Sequence, residues 1–235
     1  MATNTATTPY GFSINIGRKA TGQTFIHKVA NYMWLPMLAM GLMVLASTQV
    51  AGIFQADLAS DTFPGTASDR ADLETLKVLQ PGVIFLGVAF LLSGISFLLA
   101  SVLGAIRWGG GEIQEKHASE VHTPRMPYTA WAFLALMMTG LTLEFASLGF
   151  HIYAAVQVHD YYITAVPPDA SALHVLGRAE TVLSYAAPLR MVGIGFLLAG
   201  IVSALYTIGN VLRFQFDRVT SIILNRDAIP EGSGS

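Results

Sequence analysis

Four apolar runs, each long enough to cross the hydrocarbon of a bilayer as a helix, set the limits on what this chain can fold into. They lie near residues 33–54, 82–107, 128–156 and 188–212, and about 30 Å of hydrocarbon takes roughly 20 helical residues. Composition agrees. The 235 residues are 53% hydrophobic and 12% charged, against about 25% charged in soluble domains, and the charges fall between the runs. The expected fold class is therefore an all-α integral membrane protein with four transmembrane helices. The first run contains VLASTQVAG, with small residues that resemble a cleavage site. It follows about 30 mostly polar residues and is longer than a signal-peptide core, so it reads as an uncleaved span.

Direction follows from the basic residues. Arg18, Lys19 and Lys28 precede the first span, Arg107, Lys116 and Arg125 lie between spans 2 and 3, and Arg213, Arg218 and Arg226 follow the fourth. The alternate loops hold Arg70, Lys77 and Arg178, with Arg190 just inside span 4. Nine against four puts both termini and the middle loop in the cytoplasm, with a bacterial inner membrane as the expected location. Trp34, Tyr32, Trp108, Tyr128 and Trp131 fall at one border and Tyr153, Tyr161, Tyr162 and Tyr185 at the other, as interfacial aromatic belts do.

These borders divide the chain into an N-terminal segment (1–30), a first hairpin with its outer loop (31–108) and a linker (109–126). A second hairpin (127–214) and a tail (215–235) complete it. Residues 68–80, SDRADLETLKVLQ, carry a Ser cap, early acids and a late Lys before Pro81, and so predict a short interfacial helix broken before span 2. Residues 169–187 predict another before span 4, ending at Pro188. The Gly-rich linker WGGGEIQEKHASEVHTPRMP reads as a flexible turn and the final DAIPEGSGS as disordered.

Residues 74–108 align without a gap on 180–214, with ten of 35 positions identical, among them Glu74/Glu180, Thr75/Thr181, Gly87/Gly193, Gly94/Gly200 and Arg107/Arg213. Spans 1 and 3 agree more weakly. Two tandem hairpins of one ancestral type are expected, a parallel internal repeat about an axis along the membrane normal. In that alignment Gly87, Gly94, Gly193 and Gly200 are helix-packing positions, because glycine lets backbones approach closely. The ionisable groups belong to the second hairpin alone: Glu144 faces Val44 and Leu45, His151 faces Gly52, and Arg190 faces Ile84.

A charge at the bilayer centre costs about 2.5–3.5 kcal/mol on insertion scales. Glu144 is therefore expected to face protein, to be protonated or to pair, with Arg190 as a ready partner. Glu144, His151, Arg190 and Gln49, the last in the polar patch Ser47–Thr48–Gln49, form the candidate intramembrane cluster. Transmembrane cytochromes hold haem b between imidazoles on facing helices, but His151 has no second His at its depth in another span. Met33, Met37, Met40 and Met43 share a face of span 1, a possible thioether site for Cu(I) and more simply a packing stripe.

No catalytic or metal constellation is present in the sequence, there is no cysteine, and a net charge of −2 without a basic tract argues against nucleic acid. No cofactor is expected. The function these features point to is a non-catalytic structural or accessory subunit of a membrane assembly, partnered by lipid and by other membrane subunits or by itself. The alternative is a proton-coupled or small-solute transporter or channel using Glu144, with a haem b electron-transfer subunit as the minor one.

Overall fold

The computed structural model describes residues 5–7, 13–17, 25–61, 66–118, 120–125, 128–164 and 170–227. In chain order these form strands β1 (Thr5–Thr7) and β2 (Ser13–Gly17), helix α1 (Phe25–Asp61), helix α2 (Ala67–His117), strand β3 (Val121–Pro124), helix α3 (Tyr128–Thr164) and helix α4 (Ala170–Asp227). The fold is nearly all helical, and all four helices are long and apolar enough to cross a membrane.

The helices outrun the predicted spans. α2 has 51 residues and α4 has 58, which at 1.5 Å per residue is roughly 75–90 Å. Residues 68–80 and 169–187 do not form separate interfacial helices ahead of a break. From residue 170 onward the second of these segments is described, and both are the opening turns of α2 and α4, which run on through Pro81 and Pro188. A proline inside a helix removes one N–H from the ladder, and the ladder resumes where the turns on either side are held by neighbours. The cap of α2 also lies two residues before the expected Ser68. Thr66 Oγ1 accepts from the Asp69 N–H at 3.2 Å, and Asp69 Oδ2 accepts from the Thr66 N–H at 2.9 Å, a reciprocal capping box.

The linker 109–126 is likewise more ordered than a flexible turn. α2 continues through Gly109–Gly111 to His117, and β3 follows. Glycine in a helix costs about 1 kcal/mol relative to alanine, and at Gly110 the reason for it is visible, because the side-chain amide of Gln215 sits where a Cβ would project. Arg18, Lys19 and the tail beyond Asp227 lie outside the described residues.

The chain divides into two compact units. The first comprises Met1–Trp34, Ile95–Ala135 and Gly200–Ser235. It contains a three-stranded antiparallel sheet in the order β1-β2-β3, with Asn15 opposite both Thr5 and Thr123. Ile14 of β2 packs on Phe214 of α4. Gln114, fully buried, serves the sheet: its Oε1 accepts from the His122 N–H at 2.8 Å and its Nε2 donates to Gln215 Oε1 at 3.0 Å. Ser101 Oγ donates to Asn31 Oδ1 at 3.1 Å and Thr207 Oγ1 to Thr129 Oγ1 at 2.6 Å, linking α2 to α1 and α4 to α3.

The second unit comprises Leu35–Gly94 and Leu136–Ala199. Its helices meet at glycines. A Cβ on Gly41 would lie 2.8 Å from the Leu91 backbone N, and one on Gly94 would lie 2.9 Å from the Leu38 backbone N. Gly87 sits against Leu45 and Val44, and Gly140 against the Gly193 carbonyl and Leu197. Such notches let helix backbones approach closely, the packing mode of membrane helices. Ala154, Val158 and Ala179 form a small apolar core where α3 meets α4.

Candidate functional site

The candidate site lies in the second unit and starts from a notch. Gly193 has no side chain, so the carboxyl of Glu144 rests directly on the α4 backbone, with Oε1 2.6 Å from where a Cβ would stand. The Ile194 backbone N–H donates to that carboxyl. Glu144 is 1% exposed, yet Oε1 has no hydrogen-bond partner. A buried carboxyl oxygen with a free lone pair is costly, and it is a ready acceptor for a proton or for a donor group.

Two turns along α3, His151 is also buried, its ring lying against Gly82 of α2. Its Nδ1 is 2.8 Å from the Ser147 carbonyl. A carbonyl only accepts, so Nδ1 carries the hydrogen, and in the neutral ring Nε2 is then an acceptor. Nε2 faces Arg190 Nη1 at 3.5 Å, which donates toward it. The guanidinium carbon of Arg190 lies 4.5 Å from the centroid of the Phe85 ring, a cation–π contact. Ser147 Oγ donates to the Ala186 carbonyl at 3.2 Å, tying α3 to α4 beside the cluster.

Glu144, His151 and Arg190 are thus brought together, but in a different pairing from the one expected. Among the described residues Glu144 and Arg190 form no ion pair within 4 Å. Arg190 instead spends its charge on the Phe85 face and the His151 lone pair, while its Nε stays buried without a partner. Both imidazole nitrogens thus have polar neighbours, Nδ1 at 2.8 Å and Nε2 at 3.5 Å. Phe85 and Ser147 complete the cluster and carry no signal in the sequence, since one is an apolar residue in an apolar span and the other a small one.

Gln49 is not part of this cluster. It is exposed on α1, on the face that also presents Leu42, Val50 and Ile53, while Thr48 is the buried member of the polar patch, its hydroxyl donating to the Leu45 carbonyl. Of the methionine stripe, Met33, Met40 and Met43 face outward, 37%, 39% and 65% exposed. Gly87, Gly94 and Gly193 stand at helix contacts and Gly200 is buried, whereas Gly195 and Gly209 have nothing within 4 Å of a Cβ. His159 reaches Asp72 at 3.6 Å and Asp160 at 3.9 Å, and among the described residues no three His, Cys, Asp or Glu side chains group around a metal-sized point.

No family model, curated protein or solved structure matches the chain.

Proposed function

We propose that this chain is a non-catalytic accessory subunit of a larger assembly in a bacterial inner membrane, built as two hairpins of one ancestral type. The observation that carries the proposal is Gln49. Its amide stands on the exposed face of α1, five residues or about 7.5 Å inside the end of the predicted span, and no hydrogen bond to it is made among the described residues. Leu42, Val50 and Ile53 beside it are 61%, 52% and 71% exposed. Leucine and isoleucine are at ease in lipid, whereas an amide is not, because hydrocarbon supplies no partner. A polar group on a facing helix satisfies it, which is worth about 0.6–2 kcal/mol in membranes. Gln49→Leu is expected to weaken association with the partner subunit without lowering the stability of the chain itself. An unchanged assembly in that variant overturns the reading.

Equivalent contacts support the duplication. Gly41 meets Leu91 as Gly140 meets Leu197, and Gly87 meets Leu45 as Gly193 meets Glu144. Ser101 bonds Asn31 as Thr207 bonds Thr129, and Thr75 bonds the Ala71 carbonyl as Thr181 bonds that of Gly177. In each pair the α2 and α4 members stand 106 residues apart, the offset that matches 74–108 to 180–214. Orientation rests on charge: the unit holding the termini has nine basic and six acidic residues, the other four and nine. The basic unit is assigned to the cytoplasm, positive side inside, and its exposed Tyr32, Trp108, Tyr128 and Trp131 suit an interfacial belt.

The free oxygen of Glu144 favours a second reading, a proton-coupled or small-solute carrier. In the repeat, Glu144 replaces the Leu45 that fills the matching notch, so the second hairpin has exchanged a packing knob for an acceptor. Glu144→Gln keeps the shape and removes the exchangeable carboxyl. Proton flux into reconstituted vesicles that is unchanged in this variant eliminates the carrier reading.

A further inference from the structure

The first unit holds a second unassigned feature, a small cleft lined by His27, Leu103, Ala130, Trp131, Phe133 and Thr207, among others. We propose that it binds the hydroxyl end of a membrane-dissolved amphiphile, a phenol or an alcohol with an apolar body, through Nε2 of His27.

The imidazole is held as a ligand-binding imidazole is held. His27 is 4% exposed, its ring lies against the backbone of Gly104, and Nδ1 is 3.2 Å from the Ala100 carbonyl. That carbonyl only accepts, so Nδ1–H is the donor and the lone pair of the neutral ring is on Nε2. Nε2 is buried and makes no hydrogen bond. The side chain is therefore an oriented acceptor without a donor.

The free volume of the cleft is about 20 Å³, enough for a hydroxyl group or one water. A buried water takes two to four polar partners. Besides Nε2 the lining side chains carry the indole N–H of Trp131 and the Thr207 hydroxyl, which keeps one lone pair beside its bonds with Thr129 Oγ1 and the Ser203 carbonyl, so water is the competing occupant. A hydroxyl on an apolar body has one hydrogen to give and needs no more. The mouth is marked by Trp131, 55% exposed, along whose ring the rest of such a molecule would lie.

The test uses the full chain in bilayer nanodiscs with Trp34 and Trp108 replaced by Phe, so that fluorescence reports Trp131 alone. Two probe pairs are titrated: decylhydroquinone against its dimethyl ether, and decanol against decyl methyl ether. Saturable binding about three- to tenfold tighter for the hydroxyl member is expected in at least one pair, the value of one net hydrogen bond. The pair that discriminates assigns the ligand as phenolic or aliphatic. His27→Asn retains a donor to the Ala100 carbonyl and lacks the Nε2 acceptor, so it should abolish the discrimination while ether binding persists. As a measurement that needs no variant, the ¹⁵N resonance of His27 Nε2 should shift with the hydroxyl probe and not with its ether. Equal affinity within both pairs, discrimination that survives His27→Asn, or an unmoved Nε2 resonance overturns the proposal.

Discussion

Replacing Gly140 by Ala tests the helix notches on which the second unit depends. An added methyl there would stand 2.8 Å from the Gly193 carbonyl oxygen, 2.8 Å from Leu197 Cγ and 3.0 Å from the Leu197 backbone N. Two of these three neighbours are backbone, so no rotamer change relieves the contact and α3 must move off α4. Gly149, on the same helix, is the control, since a Cβ there meets nothing within 4 Å. Alanine raises helix propensity by about 1 kcal/mol at either position, and that gain cancels between the two variants. What is left is the strain of overpacking, about 1–3 kcal/mol, so Gly140→Ala is expected to be less stable than Gly149→Ala by that amount. Reversible unfolding in mixed detergent micelles, followed by circular dichroism, reads the difference. Two variants agreeing within about 0.5 kcal/mol would refute the notch, and with it the close seating of Glu144 on α4.

Two further outcomes follow from the polar contacts. Phe85→Leu removes the ring under Arg190 and should destabilise by about 0.5–2 kcal/mol, whereas Phe85→Trp should retain most of the stability; equal losses in the two variants would mean the contact is steric only. In the first unit, burial and then the neighbouring Arg218 guanidinium hold His122 below the ordinary histidine value, partly offset by Glu120. Between that lowered value and about 6.5 the unfolded chain binds the extra proton and the folded chain does not. Stability contributed here is present above pH about 6.5 and declines as the pH falls. Hydrogen exchange of the β2–β3 amides should accelerate from pH 7.5 to 5.5, after correction for intrinsic rates, and His122→Gln should flatten that dependence. A slope unchanged in His122→Gln would refute the assignment.

The four long helices are legible in the sequence because each apolar run exceeds what a bilayer needs, and no other reading accommodates so few charges. Their ends are not. Pro81 and Pro188 signal a break to any local reading, but neighbouring turns hold the ladder on both sides. The Gly109–Gly111 run signals a turn, yet its small size admits Gln215. The sheet leaves little trace because its strands have three to five residues, too few for alternation to register, and its third strand is anchored by the side chain of Gln114 rather than by a turn. Within the candidate site, span position alone brings Glu144, His151 and Arg190 to one region. The partner of Arg190 is decided by Phe85, and Gln49 is misplaced because polarity says that a residue needs a partner without saying on which side of its helix the partner stands.

Mass measurement of the native particle tests the subunit proposal most directly. Extracted in mild detergent and measured by native mass spectrometry, the chain should appear in a particle heavier than its own 25.2 kDa, with a fixed number of other subunits, and Gln49→Leu should shift the distribution towards the free chain. A lone 25.2 kDa species from the wild type, stable and without companions, would contradict the account.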